Sequence, residues 1–309
     1  MTSIGRPRDL GDSLAEMVVS VMDEVRPRLI EAAFSGNRGE SENARHADNF
    51  LSAHDLWMHD RYRELLASRL RSFVYASEEA EPQVVGDEAE PDLCILVDPL
   101  DTSELAVRGL NGYTHVLAYS RSLSRPVASV VGDIYHHVRL YVASLDDDGV
   151  DQAFAVTTDA ARHPLVSRGV KRLSESMITN YLMRPTERFL PLARQLRLIQ
   201  ALGEPATDGK SRGRIGVDFG SVGLCHVAAG FTEAVVEFAK GFAIWDLAPG
   251  HYILHAAGGT VVDLDGAPIP LDYQLDTLDN IAEAMNRRQR FVAAGSAKLA
   301  HEILSTLET

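Results

Sequence analysis

The sequence predicts an α/β protein with an α+β N-terminal half, and three observations carry that expectation. The apolar run Leu93-Cys94-Ile95-Leu96-Val97 has the length of a buried strand and feeds directly into Asp98-Pro99-Leu100-Asp101-Thr102-Ser103-Glu104. Four later segments, 115–119, 127–134, 138–143 and 152–156, alternate as antiparallel strands do. From Leu173 onward strand-like and helix-like segments take turns, which places an α/β domain at 173–309 after an N-terminal domain at 1–172.

Taken in order, Asp12-Ser13 opens a helical pattern through Leu14, Met17, Val18, Val21, Met22 and Val25 that continues past Pro27 with a kink. The polar stretch around 35–49 reads as loop. Asp55 stands where an N-cap would, ahead of a helix at about 56–70. Phe73-Val74-Tyr75-Ala76 reads as a strand ending in Ser77-Glu78-Glu79, and 82–91 as an excursion that returns the chain to Leu93. Asp146-Asp147-Asp148-Gly149 and His136-His137 read as turns.

In the second half, 177–179 is expected as a strand and 186–201 as a helix. A polar loop at 203–216 carries Lys210, Arg212 and Arg214. Ser221 precedes a helix at 222–229, and 232–237 reads as a strand. Ile244-Trp245-Asp246-Leu247-Ala248-Pro249-Gly250 then leads into a helix at 251–257 stopped by Gly258-Gly259. Strands at 261–263 and 291–294 and a helix at 297–307 close the chain.

A chain of 309 residues, 45% hydrophobic and 24% charged, is long enough for two ordinary globular cores. Its formal net charge of −14 argues against a nucleic-acid polymer or an anionic membrane as partner, because both are held by basic surfaces. Cys94 and Cys225 lie in apolar context and are expected as buried free thiols. The sequence has no apolar signal-peptide core at residues 1–8, so a cytoplasmic protein is the expectation.

The turn after Val97 gathers two carboxylates, two hydroxyls and backbone N–H groups. Two such acids about 4 Å apart repel by roughly 4 kcal/mol at an effective dielectric of 20. Acids beside a helix start that attracts anions point to a cation with a phosphate bound to it; the other reading is ordinary strand-to-turn punctuation.

Several of these elements together resemble the inositol monophosphatase family. They are Ser77-Glu78-Glu79, Asp98-Pro99-Leu100-Asp101-Thr102-Ser103, Phe219-Gly220-Ser221-Val222-Gly223, Trp245-Asp246-Leu247-Ala248-Pro249-Gly250 and Ala257-Gly258-Gly259, with Ser52-Ala53-His54-Asp55 as an earlier element. The resemblance covers nearly the whole chain. It implies a layered α/β/α/β/α sandwich of the sugar-phosphatase type, a homodimer, and a Mg²⁺-dependent phosphomonoesterase acting on a small phosphorylated substrate by attack of metal-activated water. Two or three Mg²⁺ ions are implied, with Mn²⁺ as a substitute.

By the same resemblance, Glu78, Asp98 and the Leu100 carbonyl would hold one ion, Asp98, Asp101 and Asp246 a second, and Asp55 with Glu78 a third. Thr102 and Ser103 would receive the phosphate, and a hydroxyl there, with Asp55, would orient and deprotonate the attacking water. Ser221, Glu237 and Lys240 are the expected substrate contacts, although Glu237 lies nine residues before Asp246 where the family's acid lies seven before. The family's glycine after the second Asp is missing here. Either Thr102 replaces it and Ser103 is the functional hydroxyl, or one residue is deleted and Thr102 takes that role. A catalytically silent relative that binds metal or a phosphorylated ligand for regulation or assembly is the competing function.

Overall fold

A computed structural model of the chain describes residues 7–43, 45, 50–167, 172–205 and 208–308. It divides into two compact units, residues 1–163 with 271–286, and residues 164–270 with 287–309.

The first unit opens with α1 (Pro7–Ser35), which keeps Pro27 inside a continuous helix. Leu14, Met17, Val18, Val21, Met22, Val25 and Leu29 recur at helical spacing and are buried. A two-stranded pair, β1 (Glu40–Ser41) and β2 (Leu51–Ser52), leads into α2 (Ala53–Arg69). The cap of α2 is Ser52 rather than Asp55: the Ser52 side chain accepts from His54 N–H, and Asp55 reaches back to the Ser52 N–H as the third helical residue.

The sheet of this unit comprises β3 (Ser72–Ser77), β4 (Ala80–Gly86), β5 (Leu93–Asp101), β6 (Tyr113–Ser120), β7 (Arg125–Asp133), β8 (Val138–Leu145), β9 (Asp151–Thr157) and β10 (Arg162–Pro164), with the short α3 (Ser103–Ala106) after β5. Its order is β10-β9-β8-β7-β6-β5-β3-β4, and β3 and β5 run parallel to each other. Instead of an excursion, 80–86 forms the edge strand β4, where Pro82 is tolerated because no further strand needs its N–H. Helix α1 lies against β7 and β8, and α2 against β5. Gly132 in β7 permits the close approach: a Cβ there would stand 2.7 Å from Met22 Sδ and 2.8 Å from Val18 Cγ1. One hydrophobic core, from Leu10 to Leu145, joins these helices to the sheet.

The second unit has a five-stranded sheet ordered β12-β11-β13-β15-β14. Its elements begin with β11 (Met177–Asn180), α4 (Leu190–Ala193), α5 (Leu196–Gly203), β12 (Arg214–Val217), α6 (Ser221–Ala229), β13 (Ala234–Phe242), α7 (Ile244–Ala256) and β14 (Thr260–Val262). The expected helix at 186–201 is broken into a π turn, α4 and α5, and the end of the expected loop at 203–216 becomes strand β12. Helix α7 starts at Ile244, so Trp245-Asp246 lies in its first turn rather than ahead of it.

The chain then supplies α8 (Leu278–Asn286) to the first unit before returning with β15 (Gln289–Ala294) and α9 (Ala297–Leu304). The single boundary expected at 172/173 therefore becomes a break after His163 plus this loan. Tyr119 holds it, with its hydroxyl donating to Asp272 Oδ1 at 2.8 Å, and Arg121 donates to the Asp276 carbonyl from Nε at 2.7 Å. Both cysteines are free and buried, and no described helix is long and apolar enough to cross a membrane.

Candidate metal centre

Strands β3 and β5, adjacent and parallel with Ser77 level with Val97, end side by side. They carry Glu78 and Asp98 to the carboxyl end of the sheet, where open α/β sheets place ligands. Glu78 donates its N–H to the Val97 carbonyl at 3.1 Å, which fixes the turn.

The pairing of β5 with β6 changes register here: Asp98 opposes His115, but Asp101 opposes Tyr113. One extra residue sits on β5, a bulge at Pro99-Leu100. In an unbroken strand, side chains three apart face opposite sides. The bulge turns Asp101 back to the side of Asp98. His115, directly across the ladder from Asp98, shares that side.

These groups are buried together: Asp98 is 1% exposed, Asp101 8% and His115 0%. His115 Nδ1 stands 3.6 Å from Asp98 Oδ2, and its Nε2 3.3 Å from Asp101 Oδ2. One donor atom from each of the three residues falls within 4.8 Å of the others. Two carboxylate oxygens and an imidazole nitrogen converging away from water are a donor set that fits a divalent cation, whose charge would offset their repulsion.

Beside them lies Ser103, one of the two hydroxyls that the missing glycine leaves open. Its hydroxyl lies between Asp55 Oδ1, to which it donates in a short hydrogen bond, and the Leu100 carbonyl oxygen at 2.7 Å. Thr102 has φ 62° and ψ 40°, in the left-handed region where a glycine would be at ease. A β-branched residue there costs roughly 1–2 kcal/mol, and its buried Oγ1 has no hydrogen-bond partner. Thr102→Gly is expected to raise the thermal midpoint by about 2–4 °C, the net of relieved strain and lost chain entropy. A melt that is unchanged or lower would show that the turn is not strained.

Asp55 is 1% exposed, and burial raises its pKa against the opposing hydrogen bonds from Ser103 and Ser52. Ser52 holds the other carboxylate oxygen, its N–H at 2.8 Å and its hydroxyl at 2.6 Å. Glu79 was not singled out from the sequence, yet its carboxyl is pushed up to about 7, first by burial and then by the Asp55 carboxylate, against the pull of Arg45. His115 was missed as well. Its only signal in the sequence was a histidine inside an otherwise apolar strand.

Within the second unit, Asp246 is the third residue of α7, with Arg288 Nη1 3.6 Å from its carboxylate. Burial raises its pKa, and Arg288 and then Arg188 oppose that rise. Three of the expected substrate contacts have the following partners within this unit. Ser221 is fully buried; its hydroxyl donates to the Asp246 carbonyl and accepts from the Gly250 N–H at 3.1 Å, bracing α6 to α7. Glu237 is 1% exposed, 3.1 Å from Arg188 Nε, and accepts from the Lys240 and Gly241 N–H groups. Lys240 pairs with Glu187 at 2.7 Å. In the basic loop, Arg212 is committed to Asp208.

An α/β fold whose parallel strands β3 and β5 end at buried acids, with an imidazole on the adjacent antiparallel β6, carries a candidate metal centre. Residues 13–308 match the inositol monophosphatase family, and the chain belongs to that family. It is 24% identical over 268 residues to the fructose-1,6-bisphosphatase/inositol-1-monophosphatase of Methanothermobacter thermautotrophicus, covering 82% of each chain. A shorter match, 34% over 76 residues, is to inositol monophosphatase 2 of Homo sapiens; it spans 25% of this chain and 26% of that protein. The fold is shared with a solved dual-specific IMPase/NADP phosphatase bound with D-inositol-1-phosphate, at TM-score 0.66 and 16% identity, over 98% of this chain and 95% of that one.

Proposed function

We propose that the protein is a divalent-metal-dependent phosphomonoesterase acting on a small polar phosphate of the inositol, sugar or nucleotide class. The observation that carries this reading is the bulge that turns Asp98 and Asp101 to one buried side, next to the Ser103–Asp55 pair. Glu78, Asp98, the Leu100 carbonyl and Asp101 would hold the cation, and oxygen ligands of this kind suit Mg²⁺ or Mn²⁺. When bound, such an ion offsets charge on the phosphoryl oxygens and lowers the pKa of water.

The chain's own groups do the rest. The backbone N–H groups at Thr102 and Ser103 receive phosphate oxygens. Ser103 aligns the attacking water and passes its proton toward Asp55, whose raised pKa makes it a better base than an exposed carboxylate. Ser103→Ala is therefore expected to lower kcat for phosphate release by about a hundredfold or more in a protein that still folds. A variant that retains full kcat would remove Ser103 from the chemistry. The reading as a whole is tested by phosphate release from a panel of phosphomonoesters with divalent ions, and by its loss on chelation.

One observation favours a second reading, a weakly active relative that binds a phosphorylated ligand: a threonine side chain stands where a bare backbone would meet the phosphate. Tight phosphate or phosphomonoester binding without release, restored to turnover by Thr102→Gly, would support it.

A further inference from the structure

We infer that His115 supplies a ring nitrogen to the metal centre, making it a mixed nitrogen–oxygen site that prefers Mn²⁺ to Mg²⁺. The inference rests on the metal-dependent reading above and adds a ligand that reading does not use.

The imidazole is placed by register, not by chance packing. It stands opposite Asp98 on the antiparallel neighbour, fully buried, with each ring nitrogen facing a carboxylate. Two ligands about 2.1 Å from one ion, at angles between octahedral and tetrahedral, lie roughly 3.0–3.4 Å apart. His115 Nε2 and Asp101 Oδ2, at 3.3 Å, meet that condition. The other nitrogen faces Asp98 Oδ2 at 3.6 Å, on the side where a carboxylate orients a ligating imidazole.

The neighbouring contacts hold the ring's strand in place. Thr114 Oγ1 donates to the Asp98 carbonyl at 3.3 Å and shares a 2.8 Å hydrogen bond with the Tyr62 hydroxyl. Mg²⁺ favours oxygen and gives up water reluctantly, whereas imidazole suits first-row transition ions. A nitrogen ligand therefore changes the choice of ion more than it changes the charge of the site.

The test uses the full-length protein stripped of metal and loaded with Mn²⁺. Pulsed electron spin resonance should show ¹⁴N modulation on bound Mn²⁺, and His115→Gln should remove it. Competition of Mg²⁺ against Mn²⁺ should show the Mn²⁺ preference reduced by about tenfold or more in the variant. The wild-type spectrum stands even if the variant folds poorly. Mn²⁺ bound with oxygen ligands alone, or a preference unchanged in folded His115→Gln, overturns the inference and leaves the phosphatase reading intact. Failure of the wild-type protein to bind any divalent ion overturns both.

Discussion

Asp98→Asn is expected to lower divalent-ion-dependent phosphate release by about a hundred- to a thousandfold while leaving the fold intact. Asp98 is 1% exposed and shares its side of the sheet with Asp101 and His115, so the amide fits the same space with one charge removed. Without metal, that loss relieves repulsion between buried acids, and the variant should melt no lower than its parent. With metal the order reverses. The parent gains about 2.7 kcal/mol when the ion is at a hundred times its Kd, and the variant gains little. Phosphate release at parental rates from folded Asp98→Asn would dismiss the metal centre as the seat of chemistry.

Asp218→Asn is expected to stabilise the protein progressively as pH rises from about 4 to about 7. Asp218 is 2% exposed, and its pKa is raised to about 7 by burial, with Glu237 and Asp246 adding to the rise and Arg188 opposing it. Its carboxylate accepts the Phe219 N–H at 2.6 Å and lies so close to Gly223 that a Cβ there would come within 1.9 Å of it.

The native state thus keeps a proton that the unfolded chain releases near pH 4. Native protein binds more protons across that interval, so stability falls as pH climbs through it. The ceiling on the effect is roughly 4 kcal/mol. An asparagine has no charge to bury, and it keeps the oxygen that accepts from Phe219. Urea unfolding of both proteins at pH 4, 5.5 and 8 should show a gap that opens with pH. A constant gap would mean that Asp218 is ionised at no cost.

Local signals wrote the centre of the first unit plainly. A run of apolar residues ending in two acids around a proline is strand β5 with its bulge, and the hydrophobic spacing of α1 is read directly from Leu14 to Leu29. What stayed hidden depends on pairing across distance. His115 becomes a neighbour of Asp98 only through the β5–β6 register, which no local pattern announces. Strand β4, with Pro82, and strand β12, with Gly216, lie at sheet edges, where the usual strand composition is relaxed. The Asp55 cap was displaced by three residues because Ser52 and Asp55 form a reciprocal pair, and either alone would look like a cap. Ser221 and Glu237 fit a family pattern, and each also has partners inside its own unit that no local pattern announces.

The kink that turns Asp101 toward Asp98 makes the number of residues between them matter as much as their identity. Giving the extra residue of β5 a partner, by adding one residue to β6 between Tyr113 and Thr114, would restore plain two-sided alternation across the three-residue spacing and swing one carboxylate to the far surface of the sheet, with every acid still encoded. A substitution scan would leave that dependence unseen, while a single-codon insertion in β6 would dismantle the centre.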